Sequence, residues 1–428
     1  MTESDPERRV ASARRLPGGA AAAVIGLVIV IGFVLRAEFS DKMLASKYTL
    51  FRVPIDFLVY YRGGAVVAGG GEVYSEGLVG RLPFTYPPFS AWLFSFLSNV
   101  PVVPAAVVWQ LVMLFLLLRV VFAVIVERGY RGNVASLLFA GLVVLAAFVL
   151  NPVRTGFYYG QINVALMALV AVDVLRSPKN SWRSDVGVAT GVAAGIKLVP
   201  AFFWLVFIVR RQWWALARSV AAFAVTVGLG LLFVRDAGRF WGEKMLDSSR
   251  VGSVDNPGAQ SVLVVLKRVV GVDSLLVWVV VCLVLVALVG VVLWRAHQLD
   301  HRSLEMAVAG IAMVMVSPFS WMHHWVWVLP MLLVAGDAVV RVLPYWWGTL
   351  LAMCLVVLLA VPMVSRHVVP ALALSAQQKW GLPFALGYSW WGFVVVAGAA
   401  VVLWWLGRMK STAELPDSSA EKLSAESG

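Results

Sequence analysis

Charge is what this sequence has least of. Only 14% of its 428 residues are Asp, Glu, Lys or Arg, where soluble domains carry roughly a quarter. With 61% hydrophobic residues and a mean hydropathy of +0.85, that shortage excludes an ordinary soluble domain. Runs of about 20 apolar residues recur along the chain, the length needed to cross a bilayer core. Cysteine is scarce too. Cys282 and Cys354 both lie inside apolar runs, where they read as small buried hydrophobes rather than a disulfide or a metal pair. No basic stretch is interleaved with aromatics away from the apolar runs, so the net charge of +12 implies no nucleic-acid partner. The Arg and Lys residues cluster beside the runs, as the positive-inside bias of membrane proteins requires. No repeat of fixed period is visible. These features define an all-α polytopic membrane protein whose core is a helical bundle in contact with membrane lipids.

Taken in order, residues 1–18 form a polar tail with Arg8, Arg9, Arg14 and Arg15, expected on the cytoplasmic side. The apolar run from Gly19 to Leu35 follows. A cleaved signal peptide is the alternative, but the run is long and no Ala-x-Ala site follows it. Residues 19–407 form the membrane domain. A first outer loop covers 37–102, with Phe89–Leu97 too short to span and suited to lying along the interface. Spans are expected near 103–126, 134–150, 161–176, 213–234, 273–295, 303–317, 324–340, 345–363 and 388–407, which with the first run makes ten. A second outer loop covers 235–272. Residues 408–428 are polar and read as a disordered cytoplasmic tail. Trp213-Trp214, Trp346-Trp347 and Trp390-Trp391 fall at span ends, as interfacial aromatics do.

Val186 to Val209 decides the topology. As one straight span it would place Arg210-Arg211 outside. As a re-entrant hairpin with its tip at Lys197-Leu-Val-Pro200 it returns the chain inside. Gly187, Gly191 and Gly195 before the tip and Pro200 after it favour the hairpin, and paired half-helices often frame binding sites.

Ionisable groups at membrane depth are costly and so mark function. Asp56 lies among Ile55, Phe57 and Leu58. A lone Asp at a helix start is commonly an N-cap, but a partly desolvated carboxylate binds protons more tightly and suits a general base. Lys197, in Gly-Ile-Lys-Leu-Val-Pro, either snorkels to an interface or offers a cation to an anionic group such as a phosphate. The adjacent His323 and His324 lack the i, i+4 spacing of a helical zinc pair, which leaves phosphate binding or proton handling. Around them Tyr60, Tyr61, Tyr86, Tyr159, Gln161 and Asn163 supply aromatic faces and polar donors on the same outer side, suited either to lining a sugar pocket or to an ordinary interfacial belt.

Five stretches carry a family resemblance: Asp56-Phe-Leu-Val-Tyr60, Pro83-Phe-Thr-Tyr-Pro-Pro-Phe89, Tyr159-Gly-Gln-Ile-Asn163, Gly195-Ile-Lys-Leu-Val-Pro200 and Ser317-Pro-Phe-Ser-Trp-Met-His-His-Trp325. In this order they resemble the polyprenol-phosphate-mannose-dependent α-(1→2)-mannosyltransferases of actinobacteria, including those that extend phosphatidylinositol mannosides. The resemblance implies a glycosyltransferase of the GT-C type in the plasma membrane, its active site facing outward. It also implies a polyprenyl-phosphate-mannose donor, a mannosylated glycolipid or lipoglycan acceptor, and inversion by single displacement. Asp56 falls at the family's catalytic base, Lys197 at its basic position near the donor phosphate, and His323-His324 at the imidazole contacting the same region. Arg154, Tyr159, Gln161 and Asn163 carry over as pocket lining. The glycine-rich loop between Tyr61 and Tyr74 is short of acidic groups, which leaves acceptor preference open. No Asp-x-Asp motif occurs, so a reaction without metal or other cofactor is expected. Two other readings remain: transfer of another sugar such as arabinofuranose, and a flippase for lipid-linked sugars.

Overall fold

A computed structural model describes residues 53–75, 77–176, 184–256, 258–343, 346–363 and 387–413, with a few positions nearer the amino terminus. Most of the expected first span and of both polar tails lies outside the described residues. The segment expected as the first outer loop carries α1 (Ile55–Ala68), a small antiparallel β1–β2 hairpin (Gly77–Val79, Leu82–Pro83) and α2 (Pro88–Ser95). The membrane bundle follows: α3 (Val102–Glu127), α4 (Val134–Ala147), α5 (Asn151–Tyr159), α6 (Asn163–Val174), α7 (Val188–Ile196), α8 (Trp204–Val209) and α9 (Trp213–Phe233). It is completed by α10 (Leu275–Gln298), α11 (Arg302–Val316), α12 (Val328–Val342, preceded by a 3-10 turn, Met322–Trp327), α13 (Trp346–Ala360) and α14 (Gly387–Ala413).

This is an all-α membrane protein, and the helix limits follow the apolar runs closely. The span count does not. Five described helices are long and apolar enough to cross a membrane, or six if the bent pair α5–α6 counts as one. Four of the expected spans fold as helices of 14, 12, 15 and 15 residues (α4, α6, α11 and α13). At about 1.5 Å per residue, each falls short of the roughly 30 Å hydrocarbon thickness. The reason is plain for α11: almost every residue from Ser303 to Met315 is buried, so it is the bundle's central helix and touches protein on all sides. A second difference is α5. The stretch between the spans expected near 134–150 and 161–176 is a helix, Asn151–Tyr159, that meets α6 at 115°. Pro152 in its first turn and Gly160 just past its end are the start and stop signals for it.

Residues 186–209 double back as the hairpin reading expected. Val186, Phe207 and Ala215 pack into one cluster, and Arg218 Nε donates to the Val186 carbonyl at 2.9 Å. The two legs therefore begin and end at the same level. The glycines explain why this packs. A Cβ on Gly191 would stand 2.2 Å from the Ser219 carbonyl, and one on Gly195 2.0 Å from Thr226 Oγ1. Small residues let α7 lie directly on α9. Lys197 ends α7 in extended backbone, and Pro200 starts the 3-10 turn that leads the chain back.

The two loop segments, 53–102 and 235–272, clasp each other. Asp236 accepts hydrogen bonds from the backbone N–H groups of Val73 (3.1 Å) and Tyr74 (2.7 Å). The second loop then pairs with the segment before α12, where Gln260 N–H donates to Ser320 O and Met322 N–H to Gly258 O. At the opposite end, ion pairs tie the helix termini together: Arg128–Asp337, Arg210–Glu305 and Arg302–Glu127. Arg14 pairs through its backbone with Tyr130 at this same end, which puts that part of the tail beside the basic turn 128–131.

Candidate active site

Five separate pieces of chain converge at the end of the bundle opposite those ion pairs. Helix α1 brings Asp56 and Tyr60, and the segment ahead of α2 brings Tyr86. The α5–α6 bend brings Gln161 and Asn163. The hairpin tip and the turn before α12 bring Lys197 and His324.

Asp56 is not an N-cap. Pro54 holds that position, and no side chain caps the helix. The half-buried carboxylate instead accepts a hydrogen bond from Gln161 Nε2 through Oδ2. Loss of solvent around it pushes its pKa from an ordinary 3.8 up to about 6, against the opposing pulls of the Gln161 bond and the Lys197 charge. Tyr60 and Tyr86 stand beside it with their hydroxyls 2.8 Å apart and rings edge to face. Burial is the main reason both phenols are pushed well above their usual range, so both stay protonated.

Lys197 is held by neutral groups. Its Nζ donates to Asn163 Oδ1 at 3.1 Å, faces His324 Nε2 at 3.1 Å and lies 5.3 Å from the centre of the Tyr86 ring. The backbone N–H of Trp321 donates to His324 Nδ1 at 3.1 Å, which leaves the neutral ring's proton on Nε2. Two donors thus point at the same place, an arrangement that an anionic oxygen would satisfy. A small cavity adjoins them, lined by Asn163, Lys197, Pro200, Ser320, His324 and Trp327.

The two histidines separate. His324 joins Lys197, whereas His323 packs edge-on to Tyr159 at 5.6 Å. His323 is buried, and its Nε2 has no partner among the described residues. Tyr61 is not brought into the network: its hydroxyl donates to the Val100 carbonyl at 3.0 Å. Arg154 is half-buried on α5, the helix that packs against the histidine turn. Among the described residues no group of three His, Cys, Asp or Glu side chains could hold a metal ion.

Trp109 was missed by sequence reading. Its indole N–H donates to the Gly160 carbonyl at 2.9 Å, and its ring packs on Phe57 and Tyr60. It thereby fixes the turn that carries Gln161 against the helix that carries Asp56. One Trp in an apolar span gives no signal of such a role.

The model of glycosyltransferase family 87 matches residues 84–318, more than half of the chain. The chain belongs to this family. Two relatives agree over nearly their whole length. One is the polyprenol-phosphate-mannose-dependent alpha-(1-2)-phosphatidylinositol pentamannoside mannosyltransferase of Mycobacterium tuberculosis, 31% identical over 92% of this chain and 90% of its own. The other is the corresponding phosphatidylinositol mannoside mannosyltransferase of Mycolicibacterium smegmatis, 30% identical over 82% of this chain and 85% of its own. No solved structure matches. The resemblance drawn from the five motifs is borne out, and this family 87 protein is a membrane glycosyltransferase. The family model covers Tyr86, Gln161, Asn163 and Lys197 but begins after Asp56 and ends before His324. Those two are reached only by the full-length relatives.

Proposed function

We propose that this glycosyltransferase moves a mannosyl residue from a polyprenyl-phosphate-mannose donor to a mannoside hydroxyl of a phosphatidylinositol mannoside or related lipoglycan. The new linkage is α-1,2, and the reaction runs on the outer side of the plasma membrane. The observation that carries the reading is one carboxylate and one ammonium joined, and held apart, by two neutral amides, Gln161 and Asn163. The names of the full-length relatives support the donor and acceptor classes.

The free Oδ1 of Asp56 takes the proton of the acceptor hydroxyl as its oxygen forms a bond to the anomeric carbon. The bond from that carbon to the phosphate oxygen breaks, and the phosphate leaves with the electron pair. Lys197 and His324 Nε2–H meet the charge that gathers there. A lipid phosphate is an activated leaving group, so positioning, proton removal and charge stabilisation suffice. Tyr159 and His323 form the aromatic wall against which a sugar ring would lie. The outward orientation is supported by the basic turns 128–131 and 210–211 at the opposite end. Both polar tails then lie on the cytoplasmic side.

The deciding experiment is transfer by the purified enzyme from polyprenyl-phosphate-mannose to a mannoside acceptor, beside its Asp56→Asn variant. We expect transfer by the wild type and none by the variant; near-normal transfer by Asp56→Asn removes the base. Deleting the gene in its native host should remove one α-(1→2)-mannosylated species from the glycolipid profile. Loss of an arabinose-containing species instead would assign a different sugar. A cysteine at position 211 should react with an impermeant reagent only in inverted vesicles.

A further inference from the structure

Gln161 makes more bonds than a pocket-lining residue needs. Its Nε2 donates to Asp56 Oδ2. Its Oε1 lies 3.3 Å from the Tyr60 hydroxyl, 3.2 Å from the Tyr86 hydroxyl and 3.4 Å from Asn163 Nδ2. Because the two phenols also bond each other, one gives its proton to the other, and the second gives its own to Oε1. With Asn163 that makes two donors for the two lone pairs of the amide oxygen. The amide therefore has one workable orientation: a flip would set its oxygen against the Asp56 carboxylate and its N–H groups against Asn163 Nδ2. Asn163 is fixed likewise, since its Nδ2 donates also to His323 O at 3.0 Å and its Oδ1 accepts from Lys197.

We infer that Gln161 is the positioning residue of this active site: it pins Asp56 by one oxygen, leaves the other free for the acceptor, and joins the carboxylate to Lys197 through Asn163. The inference rests on the reading of Asp56 as the base. Neutral amides can do this where a cation could not. An arginine in place of Gln161 would hold the carboxylate equally firmly but would pair with it as a salt bridge and lower its basicity. The structure around the amide agrees. Gly160, with φ of +72°, turns the chain immediately before Gln161, and a Cβ there would stand 2.8 Å from the side chains of Pro54 and Phe57. The turn thus sits directly against the start of α1. The titratable groups facing Asp56 across the site are Lys197, Tyr60 and Tyr86, and the Gln161 bond itself favours the ionised carboxylate.

The test is the pH dependence of kcat for purified Gln161→Met and Gln161→Glu beside wild type and Asp56→Asn. For Gln161→Met, loss of the amide donor should move the acid limb to higher pH. It should also lower kcat about 10- to 100-fold while the donor KM stays within about threefold. Gln161→Glu is nearly the same shape and sets a second carboxyl against Asp56, so its acid limb should lie higher still. A residue that only holds the fold would lower the yield of active enzyme and leave the limb in place. An unshifted limb in both variants, with Asp56→Asn inactive, overturns the inference and spares the base. An active Asp56→Asn overturns the base reading itself.

Discussion

The two ends of this bundle treat charge in opposite ways. At the ion-paired end the buried acids Glu127, Glu305 and Asp337 meet guanidinium groups, while Asp173 accepts from the Thr190 N–H and hydroxyl. Arg210 and Glu305 touch at 2.8 Å with side chains 1% and 0% exposed, and Asp337 is shared by Arg128 and Arg341. At the other end none of the described ion pairs involves Asp56 or Lys197. Each is held by an amide, and two amides in series keep them apart. Charges that neutralise each other hold helices together and have nothing left to offer a substrate. Charges separated by neutral dipoles stay ready for reaction, at a cost in stability that the rest of the fold must cover. The buried charges of one end neutralise each other, and those of the other are kept apart, as the proposed reaction requires.

Four changes would break or sharpen that contrast. The largest effect is expected for Asp56→Asn, with transfer down at least about 10³-fold. Its stability should move the other way. A carboxylate whose pKa is raised in the fold from 3.8 to about 6 stabilises least once pH has risen past 6. The variant should therefore melt above wild type at pH 8, and the gap should close as pH falls below about 4. A lower melting temperature at pH 8 would show that the charge is not strained in the fold. The same shift implies that wild-type kcat/KM rises with pH through about 6 as the base of the free enzyme ionises. Next, Lys197→Met should cost roughly 10²- to 10³-fold in kcat/KM and weaken donor binding. Unchanged donor affinity and rate would remove it from the phosphate site.

At the structural end the ranking reverses. Glu305→Gln leaves the buried Arg210 guanidinium uncompensated and should destabilise by about 3 kcal/mol, read by thermal unfolding in detergent. Activity per folded molecule should stay within about twofold; a large drop there would mean that the ends are coupled. Smallest of all is Tyr61→Phe, expected to change the rate less than about twofold, because its hydroxyl bonds the Val100 carbonyl away from the network. A clear loss would return Tyr61 to the pocket.

Much of the site was legible because its residues are chemically out of place. A carboxylate among Ile55, Phe57 and Leu58, and a lysine in Gly-Ile-Lys-Leu-Val-Pro, stand out against apolar surroundings whatever the fold does. Gln161 and Trp109 do not stand out. An amide beside tyrosines reads as ordinary pocket lining, and its pivotal place emerges only when α1, the α5–α6 bend and the hairpin tip close around it. The histidines were legible as a pair but not as individuals. Neighbours in a tight turn point in different directions, and the Trp321 N–H that selects His324 acts through the local backbone path.

Composition and apolar periodicity alone determined that this chain is a helical membrane protein and where its long apolar helices run, because water and lipid sort side chains before any tertiary contact forms. Tertiary structure decided what that pattern cannot encode. A buried central helix and a spanning one look alike in hydropathy, so α11 needed its neighbours to be told apart. The distance between Asp56 and a lysine 141 positions further along depends on a hairpin that turns back only because three glycines let it lie on α9. Hydrophobicity is a property of each residue, whereas a catalytic geometry belongs to the contacts between them.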